Sequence, residues 1–253
     1  MRPFFHTPII SVILLSTMMI IWQAPFQVFA EGPENIIVGD FSSGDVGTHP
    51  PVGWEKLAFD KIPDHTHYQS VEDGDRVVIR AQSQSSASGL IRKIEIDPRE
   101  YPILEWRWKV AGVLKKGDAR QKKGDDYAAR IYISFAYDPS LLSFVERIKY
   151  TTAKFLYGEY PPSAVLNYIW GNKVPINTII PSPYTNRSMM VVVQSGNHRA
   201  RHWVKEERNV LLDFREAFKA EPPMISSVAI MTDTDNTNES ATAWYGDIVF
   251  RRE

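Results

Sequence analysis

After residue 35 the chain reads as short runs of β-branched and aromatic residues, separated by clusters of Gly, Pro, Asn, Asp and Ser. Within most runs apolar and polar positions alternate, the period of a strand with one buried face. Ten runs have this character: 36–41, 67–71, 76–81, 89–96, 103–110, 128–135, 164–170, 188–194, 226–233 and 241–250. Ten short strands in one chain predict two packed sheets. Two segments switch to helical spacing. The first spans 138–157, with Asp138 as N-cap, Pro139 in the first turn and Leu141, Leu142, Phe144, Val145, Ile148 and Phe155 on its apolar side before Gly158. The second begins near Asn209, carries Leu211, Leu212, Phe214 and Phe218, and stops at Pro222-Pro223. The first is expected to pack on the sandwich as an insertion. Its alternative, docking on a membrane, is disfavoured by the mixed charges of Glu146, Arg147, Lys149 and Lys154. The second is expected to cover one end of a sheet.

Parity sorts the strand residues into faces. In 103–110, Leu104, Trp106, Trp108 and Val110 share one face, and Glu105, Arg107 and Lys109 the other. The tryptophans therefore read as core in preference to a sugar-stacking platform. In 126–135, Ala129, Ile131, Ile133 and Phe135 oppose Asp126, Ala128, Arg130, Tyr132 and Ser134. In 228–235, Val228 and Ile230 oppose Ala229, Met231, Asp233 and Asp235. If these strands are neighbours, Glu105, Arg107, Lys109, Asp126, Arg130, Tyr132 and Asp233 form one charged, tyrosine-bearing sheet face. Guanidinium groups bind carboxylates bidentately and acids accept from hydroxyls, so such a face suits a glycan. The competing reading is a solvated face laced with cross-strand ion pairs.

The first 30 residues change the picture of where the domain works. Arg2 is followed by an apolar run from Ile9 to Trp22 with no carboxylate and no lysine, and Val28-Phe29-Ala30 precedes an abrupt polar turn at Glu31-Gly32-Pro33. This is the pattern of a secretory signal cleaved after Ala30. The alternative, a retained anchor, is weakened by Ser11, Ser16, Thr17 and Gln23, which interrupt the run short of the roughly 20 apolar residues of a comfortable bilayer crossing. Residues 31–253 are then one domain, periplasmic or secreted from a bacterium, with no stable membrane anchor after cleavage. The chain has no cysteine, and about 220 residues bury a sufficient core without disulfides. Removing the leader leaves 28 basic against 30 acidic side chains, which argues against nucleic acid as a partner.

Two acidic loops flank predicted strands: Lys123-Gly124-Asp125-Asp126 and Asp233-Thr234-Asp235-Asn236-Thr237. Their oxygens suit a hard cation, although the spacing is not that of an EF-hand and the same residues form ordinary Asx turns. His65 and His67, and His198 and His202, lack an evident third ligand. No nucleophile elbow, phosphate loop or His-Glu-x-x-His helix occurs.

Two short segments resemble galactose-binding-like jelly rolls and carbohydrate-binding modules. Asn35-Ile-Ile-Val-Gly-Asp-Phe-Ser-Ser-Gly44 with Pro51-Val-Gly-Trp54 is similar to their opening, and Trp244-Tyr-Gly-Asp-Ile-Val-Phe250 to their closing strand. The resemblance implies a two-sheet antiparallel jelly-roll sandwich, with the two helices as insertions, adjacent first and last strands, and a structural calcium near Asp40 and Asp247. A wider likeness covers nearly all of the mature chain. Glu105-Trp-Arg-Trp-Lys109, Gly124-Asp-Asp-Tyr-Ala-Ala-Arg-Ile-Tyr132, Leu166-Asn-Tyr-Ile-Trp170, Arg208-Asn-Val-Leu-Leu-Asp-Phe214 and Met231-Thr-Asp-Thr-Asp-Asn236 resemble the bacterial family known as domain of unknown function 3047. That likeness implies an exported bacterial domain and no particular activity.

The leading expectation is a periplasmic protein that binds a saccharide or cell-envelope glycan through Glu105, Arg107, Lys109, Asp125, Asp126, Arg130, Tyr132, Asp233, Asp235 and Asn236. A second is a polysaccharide lyase or hydrolase on the same face, with Arg107 or Arg130 neutralising a uronate, Tyr132 as base, or Asp126 and Asp233 as a carboxylate pair. A third is a non-catalytic envelope component. A binding site should be concave and a structural face flat.

Overall fold

The computed structural model describes Met1, residues 32–158 and residues 160–253; the expected leader lies outside these residues. The folded unit, Pro33–Glu253, is a β-sandwich. Its strands are β1 (Asn35–Gly39), β2 (Glu55–Leu57), β3 (His67–Asp73), β4 (Arg76–Gln84), β5 (Ala87–Ile96), β6 (Ile103–Val110), β7 (Arg130–Phe135), β8 (Ala164–Gly171), β9 (Ile179–Ser182), β10 (Thr185–Ser195), β11 (Val204–Asn209), β12 (Ile225–Asp233) and β13 (Ser240–Arg251), with helices α1 (Phe144–Tyr157) and α2 (Val210–Phe218). Sheet I runs β11-β6-β13-β4-β3, with β1 also on β13, and sheet II runs β2-β5-β12-β7-β8-β10-β9. All ten expected strands are present. β2 and β9 are too short to show a period, and β11, Val-Lys-Glu-Glu-Arg-Asn, is charged in the manner of an exposed edge strand. Sheet II is mixed, because β8 and β10 run parallel, where a wholly antiparallel sandwich was expected.

Between the sheets lies an aromatic layer. Trp106 and Trp108 of β6 are 2% and 0% exposed and meet Tyr168 and Trp170 of β8 with ring centroids 5.3 and 5.8 Å apart. The parity reading of the two tryptophans as core is therefore what the packing shows. α2 closes one end of this layer. The Asn209 side chain accepts from the Leu212 amide, and fully buried Phe214 packs edge-on against Phe135 at 4.5 Å.

β13 carries a bulge where its pairing with β6 shifts between Tyr245 and Ile248. Across that bulge Arg107 lies so close to Gly246 that a Cβ there would sit 2.4 Å from its Nε and 2.5 Å from its Cγ. Gly246→Ala should therefore cost about 1–3 kcal/mol by urea denaturation. Adding Arg107→Ala should return most of that loss; a strictly additive double variant would show that this contact is not the cause.

The insertion between β7 and β8 departs from expectation. Asp138 and Pro139 belong to a separate 3₁₀ turn, Pro139–Leu141, whose N-cap is the Asp138 carboxylate accepting from the Ser140 amide at 2.8 Å. The α-helix starts after Ser143, whose capping box with Glu146 is a signal present in the sequence as Ser-x-x-Glu. The helix is also not packed as expected: Phe144, Val145, Ile148 and Phe155 are 76%, 60%, 54% and 88% exposed. It is held from its other side by Arg187, which pairs with Glu146 at 2.6 Å, and by the Tyr150 hydroxyl, which donates to the Pro162 carbonyl at 2.9 Å.

Candidate functional site

Across the outer face of sheet II runs a groove of about 600 Å³, lined from β5, β12, β7, β8 and β10 and from both roots of the α1 insertion. Register explains its floor. Tyr132 of β7 lies opposite Ala229 of β12, and Ser134 opposite Ser227, so the strand face that points away from the core presents a tyrosine beside small side chains. Small residues on one strand leave room above the sheet, and Tyr137 and Tyr160 rise at one side as a parallel stack, 3.9 Å between centroids and 7° between planes. Hydroxyls of Ser134, Ser188, Ser226 and Ser227 line the same groove, with Phe59, Ile91 and Lys93 opposite.

The Tyr132 ring is fixed from the other side by Arg130, whose guanidinium carbon lies 5.2 Å from its centroid and 5.0 Å from that of Tyr127. Arg130 is 5% exposed and sits between two carboxylates: Nη2 pairs closely with Asp233 Oδ2, and Nη1 lies 3.9 Å from Asp125 Oδ1. Asp126 is equally buried but otherwise engaged. Its Oδ2 accepts from the Thr237 amide and hydroxyl, both at 2.7 Å, and its Oδ1 from the Asn236 amide and side chain at 3.3 and 3.0 Å. Asp235 completes the group, with oxygens of Asp126, Asp233 and Asp235 all within 4.8 Å of one another. The two acidic loops singled out in the sequence thus meet. Burial pushes Asp125, Asp233 and Asp235 above the ordinary carboxylate range, against the pull of Arg130. Burial opposes the Arg130 charge too, but Asp233 and Asp125 outweigh it. The guanidinium is the counter-charge of this cluster. Tyr132 is likewise raised, first by burial, so its phenol stays protonated.

Glu105, Arg107 and Lys109 are elsewhere. β6 belongs to sheet I, and their side chains cover its outer face, so the single polar surface expected from parity is divided between opposite sides of the sandwich. Glu105 pairs with Lys205 and Arg251 at 2.6 and 2.7 Å, which hold its carboxyl below the usual range. Lys109 pairs with Asp73 at 2.7 Å, and Arg107 lies over Trp203 at 4.6 Å. This half is a cross-strand ion-pair lattice.

The sequence profile of a family described as "Protein of unknown function (DUF3047)" matches residues 52–249. The chain belongs to that family. The DUF3047 span takes in the whole groove and the whole Arg130 cluster and leaves out β1 with Asp40. No curated protein matches the chain significantly. Among solved structures, the K3 cleaved adhesin domain of Lys-gingipain from Porphyromonas gingivalis w83 is similar at 12% identity and a TM-score of 0.35, covering 85% of this chain and 98% of that one. The Emp47p carbohydrate recognition domain is similar at 12% identity and a TM-score of 0.41, covering 85% and 96%. At such low identity and TM-scores neither neighbour bears on what this chain binds.

The calcium implied near Asp40 and Asp247 does not fit the residues there. β1 and β13 are adjacent, as the jelly-roll likeness implies. Both oxygens of Asp247, however, serve Ser42, accepting from its amide at 2.8 Å and its hydroxyl at 2.6 Å, and Asp40 is exposed. Nor does the geometry suit the catalytic roles weighed above. A protonated Tyr132 is a poor base, Arg107 is on the other sheet, and Asp126 and Asp233 are each 1% exposed beneath the surface. A second concavity, about 490 Å³, gathers His49, His65 and His67, but among the described residues the only cluster of three potential metal ligands is Asp126, Asp233 and Asp235.

Tyr137 and Tyr160 lie outside the strand runs and the helical stripe, so neither periodicity marks them. The available signal was an aromatic residue at each root of an insertion between two strands that pair directly, where both roots must converge.

Proposed function

We propose that this DUF3047 protein is an exported envelope protein that binds a saccharide in the groove across sheet II. The observation that carries this reading is the lining of that groove, in which Tyr132 and the stacked Tyr137 and Tyr160 stand beside four serine hydroxyls. A pyranose offers the matching surfaces, apolar C–H faces for the rings and a rim of hydroxyls for serine and protonated tyrosine. Among the described lining residues no carboxylate occurs, so nothing in that lining repels an acidic sugar more than a neutral one. The acidic cluster contributes by holding Arg130 under the Tyr132 ring, which removes the cost of ordering that ring on binding.

Titration calorimetry against soluble and envelope polysaccharides, with and without calcium, tests the proposal. Tyr137→Ala, at a half-buried position outside both sheets, should weaken binding about tenfold or more with an unchanged melting curve. Absence of binding across the panel would sink the idea, as would full affinity in the variant.

A further inference from the structure

The exposed side of α1 is a second surface, which among the described residues meets the groove wall only where Lys154 lies over the Tyr160 ring at 4.3 Å. At 100° per residue Phe144, Ile148 and Phe155 fall within an arc of about 40° and span about 16 Å of helix axis. Thr151 and Thr152 fill the interval. Their hydroxyls donate back to the Arg147 and Ile148 carbonyls at 2.9 and 3.0 Å, which leaves methyl groups to continue the apolar stripe. Lys149 borders the stripe on one side and Arg147 and Lys154 on the other, all three exposed. Among the described residues of the helix the one carboxylate, Glu146, is turned inward and neutralised by Arg187, with both guanidinium Nε and Nη2 donating to it at 2.8 and 2.6 Å. Arg187 holds the Glu146 carboxyl down at about 2. The expectation of balanced charge therefore fails for the outward face, which is apolar at its centre and cationic at both margins.

We propose that α1 is an interfacial helix that docks this protein on the surface of an anionic lipid bilayer, with Phe144, Ile148 and Phe155 entering the headgroup boundary and Arg147, Lys149 and Lys154 meeting lipid phosphates. Charge selects this occupant. A second copy of the same face would bring like cations together, whereas an anionic bilayer accepts both the apolar stripe and its margins. No helix among the described residues is long and apolar enough to cross a membrane, so α1 lies on the surface rather than spanning it.

The test is flotation of the full chain with vesicles of phosphatidylglycerol and phosphatidylcholine, beside vesicles of phosphatidylcholine alone. Binding is expected to the anionic vesicles and to weaken with salt. Phe144→Ser/Ile148→Ser/Phe155→Ser should bind about tenfold more weakly or worse, as should Lys149→Glu/Lys154→Glu. Both should keep the parental thermal melt, since the side chains are exposed. In Phe155→Trp, indole emission should shift to the blue on anionic vesicles. Equal binding by parent and variants, or no emission shift, overturns the proposal. A dimer in sedimentation equilibrium that the triple serine variant dissociates, without vesicle binding by the parent, also overturns it and assigns the stripe to self-association.

Discussion

Arg130→Met should destabilise the domain by about 3–5 kcal/mol at pH 8, a fall in melting temperature on the order of 10 °C, and by clearly less at pH 5. The substitution leaves the stem's volume in place and removes the guanidinium that pairs with Asp125 and Asp233 beside Asp126 and Asp235. Burial already raises the proton affinity of Asp125, Asp233 and Asp235, and Arg130 is the largest influence pulling Asp125 and Asp233 back down, while a backbone hydrogen bond does more than Arg130 for Asp235. A carboxyl whose folded pKa is raised contributes stability that is fully present below its unfolded value of about 3.9 and is lost as pH rises through the folded value. Without the guanidinium that folded value rises further, so the loss should widen between pH 5 and pH 8. Urea denaturation at the two pH values measures it; a penalty as large at pH 5 would mean that the cluster is not held by this charge.

Trp108→Ala should cost about 3–5 kcal/mol, with Trp108→Phe well below it. Trp108 is fully buried, packs edge-on against Trp106 at 5.4 Å and touches Trp170 of the opposite sheet, so truncation opens the inter-sheet layer. It also removes the Trp108 Nε1 donor to the Glu206 carboxylate, leaving the Gln194 hydrogen bond and the charges of Arg199 and Arg208 against the burial that already raises that carboxyl. Phenylalanine restores most of the packing and none of the hydrogen bond. A cost below about 1 kcal/mol for alanine would contradict the packing described here.

Strand content was legible because burial on one side writes a period of two into the sequence. β6 shows the limit of that signal. Its alternation separated Trp106 and Trp108 from Glu105, Arg107 and Lys109 correctly, yet gave no information on which strands stand beside it. Parity is a property of one strand, whereas a site on a sheet is a property of pairing, and pairing put β6 in one sheet and β7 and β12 in the other. Of the expected site, Asp125, Asp126, Arg130, Tyr132, Asp233, Asp235 and Asn236 come together because they belong to β7, to β12 and to the loops at one end of that pair. The helix shows a different limit. Helical spacing of apolar residues predicts an amphipathic helix, but the same stripe results whether the apolar side meets protein or something else. The ion pair of Glu146 with Arg187, 41 positions away, and the Tyr150 hydroxyl on the Pro162 carbonyl fix which side faces inward.

The insertion that carries α1 joins β7 to β8 where Phe135 and Ala164 are direct cross-strand partners. Its two ends are therefore no farther apart than those of a hairpin, and loop-closure entropy grows only slowly with length. The sandwich gives this segment a socket rather than a structural duty. Leu142, buried at 4% exposure, and Leu141 tie the segment to the core, so among the described residues of α1 the outward side chains can change without disturbing the packing between the sheets.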